Sequence, residues 1–290
     1  RMCQMPVVFR VMGIKPVMRD AYTNRYRVAH FVLRWCYRAP FAMVICTQDG
    51  TGAEGWVKYA LGTTVPFKIL INGVPDTTIP DDADERLQGI SNSRVVILFL
   101  GSLEPSKGPI EFVDAFLDAR QKCNAHLHAL IVGAGSLEDQ IRTRIAESRA
   151  INDVTFIDRL AHSQVLAAQD RADIYVSLNR FGNLSNANLE AICMGAAMVI
   201  PCSQPKTGVD LITDSMIPKD AAWRINSSDD HTGLVAALTC LADAPEQRHA
   251  MSDAINDVAK LLSNWSQRID QEMTVLSELT TQKTEEYNKL

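Results

Sequence analysis

Long apolar runs are missing from this chain of 290 residues. The longest, Val95 to Leu100 and Ala42 to Cys46, fall far short of the about 20 residues a helix needs to cross a bilayer, so no transmembrane helix is expected. Paired cysteines are missing too. Cys3, Cys36, Cys46, Cys123, Cys193, Cys202 and Cys240 are odd in number and scattered, with no C-x-x-C, which argues against a disulfide framework and a zinc site and for a reducing, cytoplasmic setting. The six histidines form no metal-ligand spacing and no nucleophile pairing; His126 and His128, alternating in an apolar run, are expected to be structural. Arg1 to Arg10 has no sustained apolar core with a cleavage site, so the start is not read as a signal peptide. It begins with Arg rather than Met, which points to a processed or truncated chain.

What is present is ordinary for a soluble globular protein: 47% hydrophobic and 22% charged residues, enough for two domains. The net charge of −5 is unevenly spread, with +6 in residues 1 to 60 and −11 in the rest. Such asymmetry suggests a basic surface with an anionic partner, and no nucleic acid partner is expected. Arg27, Arg34 and Arg38 are spaced to share one helix face, opposite an apolar stripe of Val28, Phe31, Val32, Trp35 and Cys36. Either that basic face is solvated on a buried helix, or it meets anionic lipid head groups as a peripheral membrane contact.

From Val95 onward strand and helix signals alternate. Strands are expected at Val95 to Leu100, Leu127 to Val132, Val154 to Ile157, Ile174 to Ser177 and Ala197 to Pro201. Helices are expected at Pro109 to Lys122, Leu137 to Arg149, Ser163 to Gln169, Ala187 to Met194, Gly233 to Ala242 and Glu246 to Leu262, and from Trp265 on. Apolar runs this continuous imply strands covered on both faces, hence a doubly wound α/β domain with a parallel sheet. Upstream, Pro6 to Val11, Phe41 to Thr47 and Phe67 to Asn72 read as strands of an incomplete α/β domain. Asp76 to Ser93 is polar and acidic and reads as a connector. Thr280 to Leu290 reads as a frayed tail. The division is therefore 1–75, a partial Rossmann-like domain; 76–93, a connector; 94–262, a second α/β domain; and 263–290, a closing helix with its tail.

Two strand ends carry the chemistry. Val95 to Leu100 is followed by Gly101, Ser102 and, after a turn of small residues, Lys107-Gly108. Ile174 to Ser177 is followed by Gly182-Asn183-Leu184-Ser185-Asn186 and a helix containing Glu190. A turn of this kind at the end of a parallel strand presents backbone amides to phosphate, and a lysine beside it neutralises the charge. A carboxylate one turn into the second helix can accept hydroxyl hydrogen bonds from a ribose. Together they suggest a nucleoside diphosphate site. Gly133-Ala134-Gly135 marks a tight turn with close backbone approach to a ligand. A dinucleotide fingerprint would require glycine or alanine at 138, where Glu138 stands, which argues against NAD. The pairs Asp81-Asp82 and Asp229-Asp230 lie in polar turns and are expected to be solvated.

In order along the chain, these segments resemble glycosyltransferase family 4, whose members have the GT-B architecture of two Rossmann-like domains. Asn72-Gly73-Val74 looks like the family's N-G-V segment, Gly101 to Gly108 its G-R-L…K-G loop, and Ile131 to Gly135 its I-V-G-x-G turn. Ala172 to Ser177 resembles A-D-V-x-V-x-P-S, Leu189-Glu190-Ala191 with Gly195 resembles L-E-A-M-x-x-G, and Asn264-Trp265 resembles the aromatic start of the closing helix. The resemblance implies that Lys107 holds the donor diphosphate, with backbone amides around Asn183, Leu184 and Ser185, and that Glu190 holds ribose hydroxyls. It also implies that Asp158, Arg159 and Leu160 border the base, with Gly101, Ser102 and Gly133 in the donor loops. Departures are present. The family's phosphate-side arginine is Ser102 here, and the first glutamate of its pair falls at Gly182 or Arg180. Arg10 or Met12 stands where many members place a histidine. Set beside the family, the first domain is expected to lack its N-terminal part.

The resemblance implies a retaining hexosyltransferase of polysaccharide biosynthesis. It would move a sugar from a nucleoside-diphosphate sugar to a glycan or lipid-linked acceptor, with no metal and no cofactor. A non-catalytic nucleotide-sugar-binding paralogue or partner subunit is the alternative. A GT-B epimerase would need acidic and histidine groups for which the sequence offers no obvious set.

Overall fold

The computed structural model describes residues 6–15, 17–19, 28–63, 65–80 and 82–288. They form two units, and the sheets explain both. In the first, β1 (Val8–Met12), β2 (Met43–Gln48) and β3 (Phe67–Ile71) pair in parallel in that order. Helices Val28–Tyr37 and Ala53–Leu61 make the crossovers. Val44, Cys46, Trp56, Val57 and Leu61 are fully buried between sheet and helices. The unit comprises residues 1–75, 204–212 and 262–290, including the long helix Trp265–Asn288. Arg268 on that helix donates from Nε to the carbonyl of Ile71 at 2.9 Å and pairs with Glu272 at 2.8 Å.

Residues 204–212, read from sequence as part of the 94–262 domain, fold with the first unit. The reason is a backbone contact no local pattern encodes: a Cβ on Gly52 would lie 3.0 Å from the carbonyl carbon of Gly208, and Asp210 donates its N–H to Gly50 O at 2.8 Å.

The second unit, 76–203 with 213–261, carries a six-stranded parallel sheet in the order β6-β5-β4-β7-β8-β9. The strands are β4 (Val95–Leu100), β5 (Leu127–Val132), β6 (Val154–Ile157), β7 (Ile174–Val176), β8 (Ala197–Pro201) and β9 (Ala222–Ile225). Every residue of β5 and β8 is buried, as strands covered by helices on both faces must be. Helix Pro109–Lys122 opens with proline at its first turn and buries Phe112, Val113 and Phe116 on β4 and β5. From β4 the chain winds outward to β5 and β6, then returns to lay β7 on the other side of β4, so the winding direction reverses between β4 and β7.

Several sequence expectations are corrected. The Thr280 to Leu290 tail continues the last helix through Asn288, and Asp76 to Ser93 holds a short helix at Glu85–Gln88, capped by Asp84. Asp230 is not simply solvated: its carboxylate caps helix His231–Asp243 through Gly233 N and also accepts from Asn226 N. Asp229 pairs with Arg180; Asp81 lies outside the described residues. Arg27 lies outside the described residues as well. On helix Val28–Tyr37 the expected apolar stripe is not the inward side: Leu33 and Tyr37 pack into the core, and Arg38 stays exposed. Arg34 is half-buried with its guanidinium 4.6 Å from the Tyr59 ring centre, and Arg38 Nε reaches Ala60 O at 3.3 Å. Phe31 and Trp35, in contrast, are 72% and 70% exposed.

Among the described residues no disulfide links the cysteines. His128 is buried and structural: Arg94 Nη1 donates to its Nδ1 at 3.3 Å, and its Nε2 donates to Thr155 Oγ1 at 2.8 Å. Asp153 holds Arg94 and Arg120 at 2.5 and 2.6 Å beside it. Burial, then the Arg94 charge, pulls the His128 pKa down to about 4, with Asp153 opposing and Arg171 adding to the fall. The unfolded chain therefore takes up a proton below pH 6.5 that the folded chain refuses until about pH 4. Stability falls as pH drops through that window, by on the order of 2 kcal/mol. Urea unfolding of wild type and His128→Gln at pH 7 and 4.5 should show a wild-type loss that the variant escapes; parallel losses would contradict this.

Candidate functional site

The reversal between β4 and β7 places two loops side by side at the carboxyl ends of adjacent strands, the position at which open α/β sheets bind ligands. A cavity of about 370 Å³ lies there. The first loop contributes Gly101, Ser102 and Lys107, the second Ser177, Leu178 and Asn179, and helix Asn186–Met194 contributes its first turn from Ser185 to Asn188. Among the described lining residues Lys107 alone is charged. A lysine and a helix N-terminus, with the positive end of its dipole, on the lining of one cavity make a site for an anion.

Local sequence explains how Lys107 gets there. Pro105–Lys107 is one turn of 3-10 helix, and Gly108 follows with φ +70°, a left-handed conformation suited to glycine. A Cβ on Gly108 would also lie 2.7 Å from the Cβ of Leu178, so the two loops touch at this glycine.

The second loop is held from within by asparagines. Asn188, 2% exposed, uses its whole amide: Oδ1 accepts from Tyr175 Oη at 2.9 Å and Ser185 Oγ at 3.1 Å, while Nδ2 donates to Ser177 Oγ at 3.0 Å and Asn183 O at 3.1 Å. Ser177 Oγ donates to Asn183 Oδ1 at 2.8 Å, and Asn183 Nδ2 to Asn179 O at 3.1 Å. Ser185 Oγ caps the helix by accepting from Asn188 N.

Of the residues singled out from sequence, Gly101, Ser102, Lys107 and Ser185 come together on the cavity. Asn183 and Leu184, in the second loop, are fully buried and do not line the cavity. Glu190 lies one turn deeper in the helix, 7% exposed, with His162 Nε2 3.9 Å away; burial pushes its carboxyl pKa up and His162 pulls the other way. His162 begins the helix that follows Asp158, Arg159 and Leu160, so the loop after β6 comes beside Glu190, although those three residues do not line the cavity. Gly133 does not line the cavity and is instead set by the packing of the two loops. A Cβ there would lie 1.8 Å from Gly101 O, and one on Gly135 2.6 Å from Leu103 O, so the two glycines let the loop after β5 pack against the loop after β4. Asn179, Ser177 and Leu178 were not foreseen; the asparagine-rich stretch after an apolar strand was the available signal. Among the described residues no His, Cys, Asp and Glu cluster suits a metal ion, and no helix is long and apolar enough to cross a membrane.

The family model of the glycosyl transferases group 1 matches residues 81–258. An uncharacterized glycosyltransferase of Methanocaldococcus jannaschii is 24% identical over 128 residues, 44% of this chain and 32% of the relative. The α-maltose-1-phosphate synthase of Mycobacterium tuberculosis is 29% identical over 154 residues, 52% of this chain and 38% of the relative. The alignments thus span only about a third of these relatives' length. Among solved structures, Anabaena HepE in complex with UDP superposes with a TM-score of 0.73 at 16% identity, covering 95% of this chain and 73% of HepE.

Proposed function

The chain belongs to the glycosyl transferases group 1 family and has the GT-B fold, and on that premise we propose that it transfers a sugar from a nucleoside-diphosphate sugar to an acceptor. The observation that carries this reading is the cavity at the β4–β7 reversal, lined by Lys107 and by the first turn of helix Asn186–Met194. Lys107 holds the diphosphate together with amides around Asn183, Leu184 and Ser185. As the bond to the sugar breaks, negative charge grows on the departing diphosphate, and fixed positive groups stabilise it more in the transition state than in the ground state. Glu190 accepts hydrogen bonds from the ribose, and Asp158 to Leu160 border the base. The transfer retains anomeric configuration, requires no metal or cofactor, and delivers a hexose to a glycan or lipid-linked acceptor.

Thermal shift of the full chain with UDP-, GDP- and ADP-sugars tests donor binding, since a ligand that binds only the folded state raises Tm. One base should stabilise wild type, and less so Glu190→Ala. No shift with any donor would sink the assignment. A uridine nucleotide is the first to try, because the Anabaena relative was solved with UDP.

A donor-binding paralogue or partner subunit without catalysis is the alternative, favoured by Ser102 in place of a second cation and by the absence of a carboxylate among the described lining residues. Donor binding without sugar transfer or hydrolysis distinguishes it.

A peripheral contact with anionic membrane fits the first unit. Phe31, Val32 and Trp35 form an exposed apolar stripe in a segment, residues 1 to 60, with net charge +6. Co-sedimentation with phosphatidylserine vesicles should exceed that with phosphatidylcholine and fall severalfold in Phe31→Ser/Trp35→Ser; equal binding by the variant would contradict it.

A further inference from the structure

The turn that presents Lys107 is tied to the second loop of the cavity by one residue, Arg180. Its backbone N–H donates to Ser106 O at 3.0 Å, and its Nη1 donates to the carbonyl of Pro105. Two consecutive carbonyls of the Pro105–Lys107 turn are therefore held by a single residue from the loop after β7. The guanidinium is itself fixed by two carboxylates from elsewhere in the unit: Nη2 pairs with Glu111 Oε1 at 2.6 Å, at the start of helix Pro109–Lys122, and with Asp229, just before helix His231–Asp243.

This arrangement decides what Arg180 does. One guanidinium charge faces two carboxylates, so it brings no net positive charge toward a phosphate, and it is not among the residues lining the cavity. Its planar fork suits simultaneous bonds to carbonyl and carboxylate acceptors, which a lysine cannot reproduce. We infer that Arg180 is a positioning residue: it clamps the Pro105–Lys107 turn against the second loop and so fixes where the Lys107 ammonium meets the diphosphate. The consequence for ligand binding rests on the donor-site reading above; the clamp itself does not.

Two measurements on the full chain separate these. In hydrogen exchange, Arg180→Ala should speed the amides of Ser106 to Gly108 by about tenfold or more while helix Pro245–Ala259 keeps its protection. Unchanged exchange in the turn would overturn the clamp. In calorimetry with UDP, GDP and ADP as probes, Arg180→Ala should weaken the preferred diphosphate about tenfold and leave the matching nucleoside within about twofold. The cost of Lys107→Ala should shrink from about tenfold in wild type to less than about twofold in the Arg180→Ala background, because residues acting as a unit are not additive. Full additivity would overturn the positioning role. If Arg180→Ala fails to fold, the double variant Glu111→Gln/Asp229→Asn releases the guanidinium and serves in the same cycle. A wild type that binds none of the three nucleotides, with the turn loosened in the variant, would refute the donor site and leave the clamp standing.

Discussion

Lys107→Ala is expected to lower turnover by about 10²- to 10³-fold while donor affinity falls by no more than about tenfold. The asymmetry follows from where charge develops. On the proposed mechanism the diphosphate of the bound donor is shared between the ammonium and the helix N-terminus; as its bond to the sugar breaks, the departing diphosphate would gain charge and the ammonium would gain in value. The size of the effect follows from the lining, where among the described residues Lys107 alone is charged and Ser102 stands in place of a second cation. Arg180 cannot substitute, since its guanidinium is held by Glu111 and Asp229. Steady-state kcat and KM with the preferred donor check the prediction, and an unchanged kcat would remove Lys107 from the mechanism.

Gly133→Ala is expected to cost about 3 kcal/mol or more of stability, far more than Gly101→Ala, although both glycines have φ near +150°. The added Cβ at 133 would lie 1.8 Å from Gly101 O, whereas at 101 it meets nothing within 4 Å. Neither loop can move aside cheaply. Gly101 donates to Val132 O at 3.0 Å and Gly133 to Ile157 O at 2.9 Å, so a shift at either breaks bonds at the strand ends. Urea unfolding of the two variants should separate them clearly; equal destabilisation would mean that backbone conformation alone sets the cost.

The second unit was legible because its strands are buried on both faces: β4, β5 and β8 are continuous apolar runs whose bounds follow from the sequence. The Lys107-Gly108 and Ser185–Glu190 segments were legible for the same reason, as turns at strand ends. Their meeting at one cavity was not, because it depends on β4 and β7 being neighbours, and strand order is a property of the winding. Helix Ala53–Leu61 carries little signal in the sequence because its entry through Gly50 and Gly52 has no polar cap and reads as a loop. β9 and helix Leu211–Met216 are too short for a periodic pattern. Arg180 could not be interpreted from the chain either: its partners Glu111 and Asp229 lie 69 and 49 residues away. On helix Val28–Tyr37 the spacing of basic and apolar residues does not give the inward side, which is set by Leu33 and Tyr37 packing on the core, with Arg34 over Tyr59 of the next helix.

The most direct test of the account is release of nucleoside diphosphate from a panel of UDP-, GDP- and ADP-sugars, measured side by side for wild type and Lys107→Ala. The account predicts that wild type turns over donors of one base and that the variant loses about 99% of that rate. Release by neither protein, or equal release by both, would contradict it.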